Sequence, residues 1–322
     1  HGRRAGRDDA ERAVLDREDV AMAARRQTKP IEGVEIRIGV RLAAGIVAMQ
    51  SCVETIDCVG QRRRFIQGIF DPQAQPRPLK IHDPLEGVPG AQIQPGQRVL
   101  DVACGTGILA REIAPRIGSA GRVVGVDPSP GMVAVAKQLA PAIEWREGVA
   151  ESLSFPDQSF DAVVSQFGLM FFTDRRQALR EMLRVLTPGG RLAVAVWDSL
   201  DNIPAFASEV ALLERMAGRQ GADALRAPFA LGDPKDLATL FSEAGVASAQ
   251  VTTHRGTAQF PSIRTMVEAD LRGWLPVMGV ILSEDQIGRI LQEAQQALSS
   301  YATADREVAF HLSAHLVTAE KP

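Results

Sequence analysis

Two carboxylates and two glycines stand at spacings that could form a binding site for a small cofactor. Asp101 lies in a short apolar run, Gly105 and Gly107 follow that run, and Asp127 ends a second apolar run. Glycine lets a turn adopt backbone conformations that other residues avoid, and it lets the backbone approach a ligand closely. A carboxylate at the spacing of Asp127 can accept both hydroxyls of a ribose. The pattern therefore predicts a binding site for a cofactor that contains a nucleoside.

The glycine spacing alone leaves two classes of cofactor open. Gly105-x-Gly107-x-x-Ala110 satisfies the dinucleotide fingerprint, which would make the protein a nicotinamide-dependent oxidoreductase. Asp101 separates the two classes, because a carboxylate beside the turn repels a pyrophosphate and attracts a cofactor with a sulfonium and an ammonium group. We therefore expect a sulfonium cofactor, with the oxidoreductase as the alternative.

Strands and helices alternate around these residues. Short apolar runs predict five strands, at Arg98–Ala103, Arg122–Asp127, Ile143–Glu147, Phe160–Ser165 and Arg191–Trp197. Helical spacing and capping residues predict three helices, at Ile108–Ile117, Pro130–Leu139 and Asp174–Leu186. This alternation predicts a parallel sheet that is covered by helices on both faces.

The second half of the chain carries weaker signals of the same kind. Asp233-Pro234 predicts the start of a helix that Gly245 ends, and Ala247 to Thr253 predicts a strand. Ser283 to Gln286 fits a capping box in front of an apolar stripe, for which simple packing onto the sheet is the expected role. Val308 to Thr318 alternates well enough to predict a last strand.

The composition changes near residue 90. Residues 1–90 contain four leucines and no tryptophan, whereas the remainder contains 23 leucines and all three tryptophans. We therefore expect one folded domain over residues 91–322 and an atypical N-terminal extension over residues 1–90. Two interpretations of the extension stay open, namely a poorly ordered segment and the out-of-frame translation of a GC-rich gene.

Charge and cysteine content favour a reduced, cytoplasmic setting and give no reason to expect nucleic acid as a partner. A formal charge of -3 and the lack of a basic patch with interleaved aromatic residues argue against nucleic acid as a partner. Three cysteines are too few for a disulfide framework and lack the spacing of metal ligands. We expect no secretory signal and no integral membrane segment, because no apolar run is long enough. The oligomeric state is left open.

Several other residues could do chemistry, and each has a plainer structural interpretation that we favour. Cys104 could be a nucleophile, but a small residue packed in the turn is the expected role. His311 and His315 share one face of a strand, which suits a metal, but no third ligand is evident. His254 follows a strand and is a weaker candidate for a base.

Acidic and aromatic candidates complete this set. Asp157 and Asp161 are expected to be turn and strand-edge residues and not acid/base groups. Trp197, Trp274 and the aromatic residues between Phe167 and Phe172 could line an apolar pocket for a second substrate, although core packing is the default for each.

Four motifs resemble those of class I S-adenosylmethionine-dependent methyltransferases, especially the ubiquinone/menaquinone-biosynthesis C-methyltransferase group. Val99 to Gly107 resembles motif I, and Val124 to Met132 resembles the second motif. Ala150 to Asp161 is similar to the DAxxLPFxDxSFD stretch, and Leu186 to Gly190 to the LxPGG turn. The resemblance runs from about residue 92 to the end of the chain.

The resemblance implies a fold and an activity. The fold would be a Rossmann-like, doubly wound α/β sheet of seven strands, with the last strand antiparallel and a helical cap inserted before it at about 262–302. The activity would be transfer of a methyl group from S-adenosyl-L-methionine to a small, fairly apolar molecule at carbon or oxygen. A degenerate domain that binds the cofactor without turnover is a further alternative, since residues 1–90 do not resemble the helices that the family carries before motif I.

The resemblance also implies roles for particular residues. Asp101 and the turn would surround the methionine part of the cofactor, Asp127 would bind the ribose, and Met132 would pack on the adenine. Val149 stands where the family usually has aspartate, which removes a hydrogen-bond acceptor for the adenine amino group. No catalytic residue is assigned. The expected cofactor-binding residues are Asp101, Cys104, Gly105, Thr106, Gly107, Asp127, Met132, Val149, Ala150 and Gln166.

Overall fold

Seven strands form one mixed sheet in the computed structural model, which describes residues 92–322. The expectations for residues 1–90 lie outside the described residues. The strands are β1 (Arg98–Val102), β2 (Arg122–Asp127), β3 (Glu144–Glu147), β4 (Phe160–Gln166), β5 (Leu186–Trp197), β6 (Gln250–Phe260) and β7 (Val308–Glu320). Their order in the sheet is β3-β2-β1-β4-β5-β7-β6. The first five strands are parallel to one another, and β7 runs antiparallel to both β5 and β6.

Eight α-helices surround the sheet among the described residues. They are α1 (Ile108–Ile117), α2 (Pro130–Leu139), α3 (Arg175–Val185), α4 (Pro204–Arg226), α5 (Pro234–Glu243), α6 (Ile263–Ala269), α7 (Leu275–Val277) and α8 (Glu284–Ala297). A π-helical segment, Asp270–Trp274, joins α6 to α7. None of the helices in this part of the chain is both long and apolar enough to cross a membrane.

Local capping residues fix where five of the helices begin. The side chains that each accept a hydrogen bond from a backbone N–H in the first turn of the following helix are those of Ser129, Asp174, Asp233, Ser262 and Ser283. Ser283 and Gln286 form both hydrogen bonds of the predicted capping box. These bonds satisfy N–H groups that have no partner inside the helix.

Alternate residues of each central strand pack against opposite layers. In β1, Val99 packs with α1 and α2, whereas Leu100 and Val102 pack with the layer that contains α3, α4, α5 and the cap. Successive side chains of a strand point to opposite faces, so a strand in the middle of the sheet is apolar throughout. The predicted sheet, covered on both faces and ending in an antiparallel strand, is confirmed.

The cap consists of the helices between β6 and β7, namely α6, the π-helical segment, α7 and α8, and it lies where the resemblance implied. The predicted strand Ala247–Thr253 was wrong in its limits, because β6 pairs with β7 from Gln250 to Phe260. Ala247 to Ala249 instead complete the turn after α5, where the Ala249 N–H donates to the carbonyl of Val246.

Candidate active site

A cavity of about 480 Å³ opens at the carboxyl ends of the parallel strands. Asp101, Asp127 and Gln166 line it from β1, β2 and β4, and Trp197 lines it from β5. The strand order reverses between β1 and β4, and open α/β sheets bind ligands beside such a reversal. The sheet topology therefore places the cavity at its expected binding edge.

Asp101 accepts a hydrogen bond from the first turn of α1 and also places its carboxyl group in the lining of the cavity. Its side chain is 1% exposed and accepts a hydrogen bond from the N–H of Ala110 at 3.1 Å. Ala110 is the third residue of α1, and the N-cap of that helix, Gly107, has no side chain to accept this bond. Burial raises the pKa of Asp101 to about 8, with a further increase from the charge of Asp127, against the lowering effect of the Ala110 N–H.

Asp127 fixes the glycine turn against the end of β2. One carboxyl oxygen accepts the N–H of Gly105 at 2.9 Å, and the other accepts the N–H of Ser129 at 2.9 Å. Burial raises the pKa of this carboxyl, and the two backbone N–H groups act against that increase. Each oxygen of a carboxylate has two acceptor positions, so Asp127 keeps capacity to accept hydroxyls of a ligand.

The two glycines of the motif have different tasks. Gly105, at φ 55°, lines the cavity. Gly107, at φ 79°, does not line the cavity, and a Cβ built on it would lie 2.1 Å from the indole ring of Trp145. A Cβ on Gly125 would lie 2.4 Å from the same ring. Gly107 and Gly125 therefore make the space that Trp145 fills.

The structure brings eight of the ten expected cofactor-binding residues to one cavity and leaves Thr106 and Gly107 outside its lining. The residues in the lining are Asp101, Cys104, Gly105, Asp127, Met132, Val149, Ala150 and Gln166. Thr106 is 5% exposed and lies inside the turn. Sequence reasoning missed the lining residues Ser129 and Glu151 among others. The signal for Ser129 was its capping position before Pro130.

Aromatic side chains form the other end of the cavity. The ring of Phe167 stacks on the indole of Trp197 with centroids 3.9 Å apart, and the ring of Phe171 lies 5.3 Å from that of Trp274. The indole N–H of Trp274 donates to the carbonyl of Ala224 at 2.7 Å. We call Phe167, Phe171, Phe172, Trp197 and Trp274 the aromatic chamber. The aromatic residues singled out in the sequence do line a pocket.

Most other candidates have structural partners. Burial raises the pKa of the Cys104 thiol, which disfavours the nucleophilic thiolate. Asp161 pairs with Arg98 at 2.6 Å, and Asp157 pairs with Arg184 at 2.7 Å, and neither acid lines the cavity.

The histidines form no metal site within residues 92–322, where no group of three or more potential ligands exists. His311 is exposed, and His254 contacts the hydroxyl of Thr252 away from the cavity. His315 is buried in a hydrogen-bonded network behind Trp197. The structural interpretation of His315 agrees with these buried hydrogen bonds.

The charges in the cavity fit a cationic ligand. Asp101, Asp127 and Glu151 contribute to its lining, and no described lysine, arginine or histidine does. Within residues 92–322, no basic side chain lies within ion-pair distance of Asp101. A buried carboxylate without a cationic partner is costly, so a bound ammonium or sulfonium group would relieve it and a pyrophosphate would not. The residues present therefore fit S-adenosylmethionine and disfavour a dinucleotide.

Comparison with known proteins finds methyltransferases among the relatives. Residues 100–194 match the family model of a methyltransferase domain. The chain is 43% identical over 106 residues to a 2-phytyl-1,4-naphtoquinone methyltransferase of Thermosynechococcus vestitus, a match that covers 32% of this chain and 47% of that protein. It is 45% identical over 116 residues to the ubiquinone/menaquinone biosynthesis C-methyltransferase UbiE of Ectopseudomonas mendocina, covering 34% and 45%. The chain thus spans about half the length of these curated relatives.

A solved structure shows the same fold. The YcgJ protein of Bacillus subtilis aligns with a TM-score of 0.50 and 22% identity, covering 74% of this chain and 98% of that one. The fold is Rossmann-like and of the class I type, and residues 100–194 within it match the family model of a methyltransferase domain. The resemblance stated from the four motifs is confirmed.

Proposed function

We propose that the protein transfers a methyl group from S-adenosylmethionine to a small, fairly apolar molecule at carbon or oxygen. One observation carries the proposal, namely that a single cavity joins an end lined by carboxylates to the aromatic chamber. The names of the two curated relatives support an acceptor with a quinone-type ring.

Residues at the carboxylate end would hold the cofactor. Asp101 would face the cationic methionine portion, Asp127 would accept the ribose hydroxyls, and Met132 would pack against the adenine. Val149 and Ala150 would line the adenine edge, and Gln166 and Cys104 would lie beside the methionine portion. Gly105 would contact the ligand through its backbone, whereas Thr106 and Gly107 would act by shaping the turn. When it is bound, S-adenosylmethionine supplies a methyl group that its positive sulfur already activates.

The chain's remaining task is to place the acceptor and exclude water. Flat apolar side chains at Phe167 and Trp197 can hold an apolar acceptor in a near-attack position without competing for its nucleophilic atom. Val277 and Met278 of the cap, together with Phe171, would cover the opening. We assign no catalytic base, and none of the described lining residues is a histidine, tyrosine or lysine.

Calorimetric titration separates this function from its alternatives. We expect S-adenosylhomocysteine to bind and NADH not to bind, and we expect Asp127→Asn to weaken S-adenosylhomocysteine binding while Glu293→Gln, on the exposed face of α8, does not. Binding of NADH in place of S-adenosylhomocysteine would support the oxidoreductase.

Turnover is then measured on a panel of phenols and quinols by mass spectrometry of S-adenosylhomocysteine formed from S-adenosylmethionine. We expect methylated product with at least one apolar acceptor. Cofactor binding without product from any acceptor would support the degenerate binding domain instead.

A further inference from the structure

A buried network of polar side chains lies next to Trp197 of the aromatic chamber. Asp198 follows Trp197 at the end of β5, and it is 4% exposed. Its carboxylate accepts the hydroxyl of Ser313 at 2.6 Å and the side-chain amide of Asn202 at 2.9 Å. Desolvation acts to raise the pKa of Asp198, but these hydrogen bonds, with one from the backbone of Ser199, outweigh it and lower the pKa. The network therefore holds a stable buried carboxylate.

His315 joins this carboxylate to a second segment of the chain. Its Nε2 lies 2.9 Å from the carbonyl oxygen of Gly232 and 3.2 Å from Oδ1 of Asp198. Both of these oxygens accept hydrogen bonds, so Nε2 carries a hydrogen. On the other side of the ring, Nδ1 lies 2.9 Å from the hydroxyl of Thr253 on β6. The imidazole, which is 2% exposed, thus has a partner at each nitrogen.

The Nε2 atom of His315 contacts two segments of the chain, one at Gly232 and one at Asp198. Each of these segments contains a residue of the cavity lining. Trp197 directly precedes Asp198, and Pro228 lies four residues before Gly232. The two segments also touch, since a Cβ on Gly232 would lie 2.2 Å from the backbone nitrogen of Ser199. A change at Nε2 of His315 would therefore reach two walls of the acceptor end, whereas the residues around Asp101 and Asp127 belong to other strands.

We propose that His315 is a positioning residue that holds Trp197 and Pro228 in place and so sets the shape of the acceptor end of the cavity. The proposal rests on the proposed function only in calling this end the acceptor end. Without a donor at Nε2, the carbonyl of Gly232 would lose a buried hydrogen bond and Asp198 would lose its contact at 3.2 Å, so the two segments would lose their common anchor.

Two conservative replacements test the two ring nitrogens of His315 separately. Glutamine can place an amide N–H near the position of Nε2, whereas asparagine reaches only the position of Nδ1. His315→Gln should therefore keep the anchor, and His315→Asn should lose it. Thr253→Val is the matched control for the Nδ1 side, and His311→Asn is the control for the same replacement at an exposed position of β7.

The measurement uses the full chain and the fluorescent apolar probe N-phenyl-1-naphthylamine. A weaker probe signal in Phe171→Ala first locates the probe in the aromatic chamber. We expect His315→Asn to raise the Kd of the probe about fivefold, as the loss of one hydrogen bond implies. The Kd of S-adenosylhomocysteine should stay within about twofold, because an anchor at the acceptor end does not touch that portion. His315→Gln, Thr253→Val and His311→Asn should bind the probe like the wild type.

Other outcomes would overturn the proposal. Equal weakening by His315→Asn and Thr253→Val, or parallel loss of probe and S-adenosylhomocysteine binding, would show a general structural role. If His315→Asn does not fold, Ser313→Ala removes the 2.6 Å bond to Asp198 and should weaken probe binding alone. A wild-type protein that fails to bind S-adenosylhomocysteine contradicts the proposed function, whereas the probe comparison still decides the role of His315.

Discussion

At the scale of single residues, Asp101 links the start of helix α1 to the lining of the cavity. Its carboxyl replaces the missing side chain of Gly107 as a partner for the N–H of Ala110, and the same group lines the cavity. An asparagine could still accept that hydrogen bond but would carry no charge. The structural and electrostatic parts of its role can therefore be separated by one substitution.

The raised pKa of Asp101 predicts that cofactor binding depends on pH. Because a cationic ligand prefers the carboxylate and the pKa is about 8 without ligand, binding below pH 8 must release a proton. The affinity for S-adenosylmethionine should rise between pH 6 and 8, by up to about tenfold per pH unit. Calorimetry over this range, in buffers of different ionisation enthalpy, measures both the affinity and the proton. Asp101→Asn should bind weakly and lose the pH-dependent rise, and an unchanged rise in that variant would contradict the assignment.

Trp145 and its glycine neighbours predict a coupling between two substitutions. Gly125→Ala places a Cβ where the indole lies and should destabilise the protein by about 1–3 kcal/mol. Trp145→Leu should recover part of that loss in the double variant, because the ring atoms are then gone. Urea unfolding of the four proteins gives the coupling free energy.

Gly288→Ala is the matched control for Gly125→Ala, since a Cβ on Gly288 in α8 meets open space and should stabilise the helix. An additive double variant of Gly125 and Trp145 would show that the ring is not the cause. The motif predicted the glycine turn but not this contact, because Trp145 lies 38 residues after Gly107 and no local spacing encodes their approach.

At the scale of elements, helices and strands were predicted where the sequence has capping residues or apolar residues at regular spacing. The limits of α1 and α2 agree with the sequence prediction, since glycine, Ser129 and Pro130 mark their first residues. The limits of β6 were wrong because pairing with β7, and not the sequence of β6, decides where that strand runs. Helix α4 was not predicted at all. It is interrupted at Gly218, at φ 79° and ψ 179°, and it buries Glu209, which breaks the apolar pattern.

The packing of α4 against the cap predicts an unusual dependence of stability on pH. Glu209 of α4 lies beside Asp270 of the π-helical segment, and both are buried. Burial raises the pKa of Asp270 to about 7, and burial together with the charge of Asp270 raises that of Glu209. Carboxyls with raised pKa favour folding at low pH and oppose it as the pH rises from about 4 through the folded pKa.

Glu209→Gln should therefore stabilise the protein at pH 8 by roughly 1–3 kcal/mol and have little effect at pH 5. Urea unfolding at the two pH values measures this difference. Glu293→Gln, on the exposed face of α8, serves as the control and should change neither value. Equal effects of Glu209→Gln at both pH values would mean that the carboxyl is not held protonated.

At the scale of the whole molecule, the four motifs implied a seven-stranded sheet with its last strand antiparallel, but they did not indicate that the aromatic chamber forms. The motifs cover the strands that form the carboxylate end of the cavity. The chamber combines Phe167 and Trp197 with Trp274, which belongs to a separate segment 77 residues further along the chain. Only the folded sheet brings these segments together, so composition and spacing indicated candidates without showing that they meet.

A ligand that binds only the native state should stabilise the whole fold. S-adenosylhomocysteine at 100 times its Kd should add about 2.7 kcal/mol. For a folded part of this size, that corresponds to an increase in Tm of roughly 5–10 °C. Differential scanning calorimetry measures the shift, and NADH at equal concentration is the negative control. An equal shift with NADH would contradict a site that selects a cation.

The segment that contains the cap leaves and rejoins the sheet at neighbouring residues. It could therefore be replaced by another segment without changing the sheet. Phe260, the last residue of β6, pairs directly with Val308, the first residue of β7. The ends of the intervening segment are thus already held together, and the entropy of closing a loop grows only slowly with its length. A cap of different length and composition could be grafted between these two residues while Asp101 and Asp127 keep their positions. Under the proposed function, the part of the acceptor end that this segment supplies, namely Trp274, Val277 and Met278, can therefore be redesigned as a single cassette.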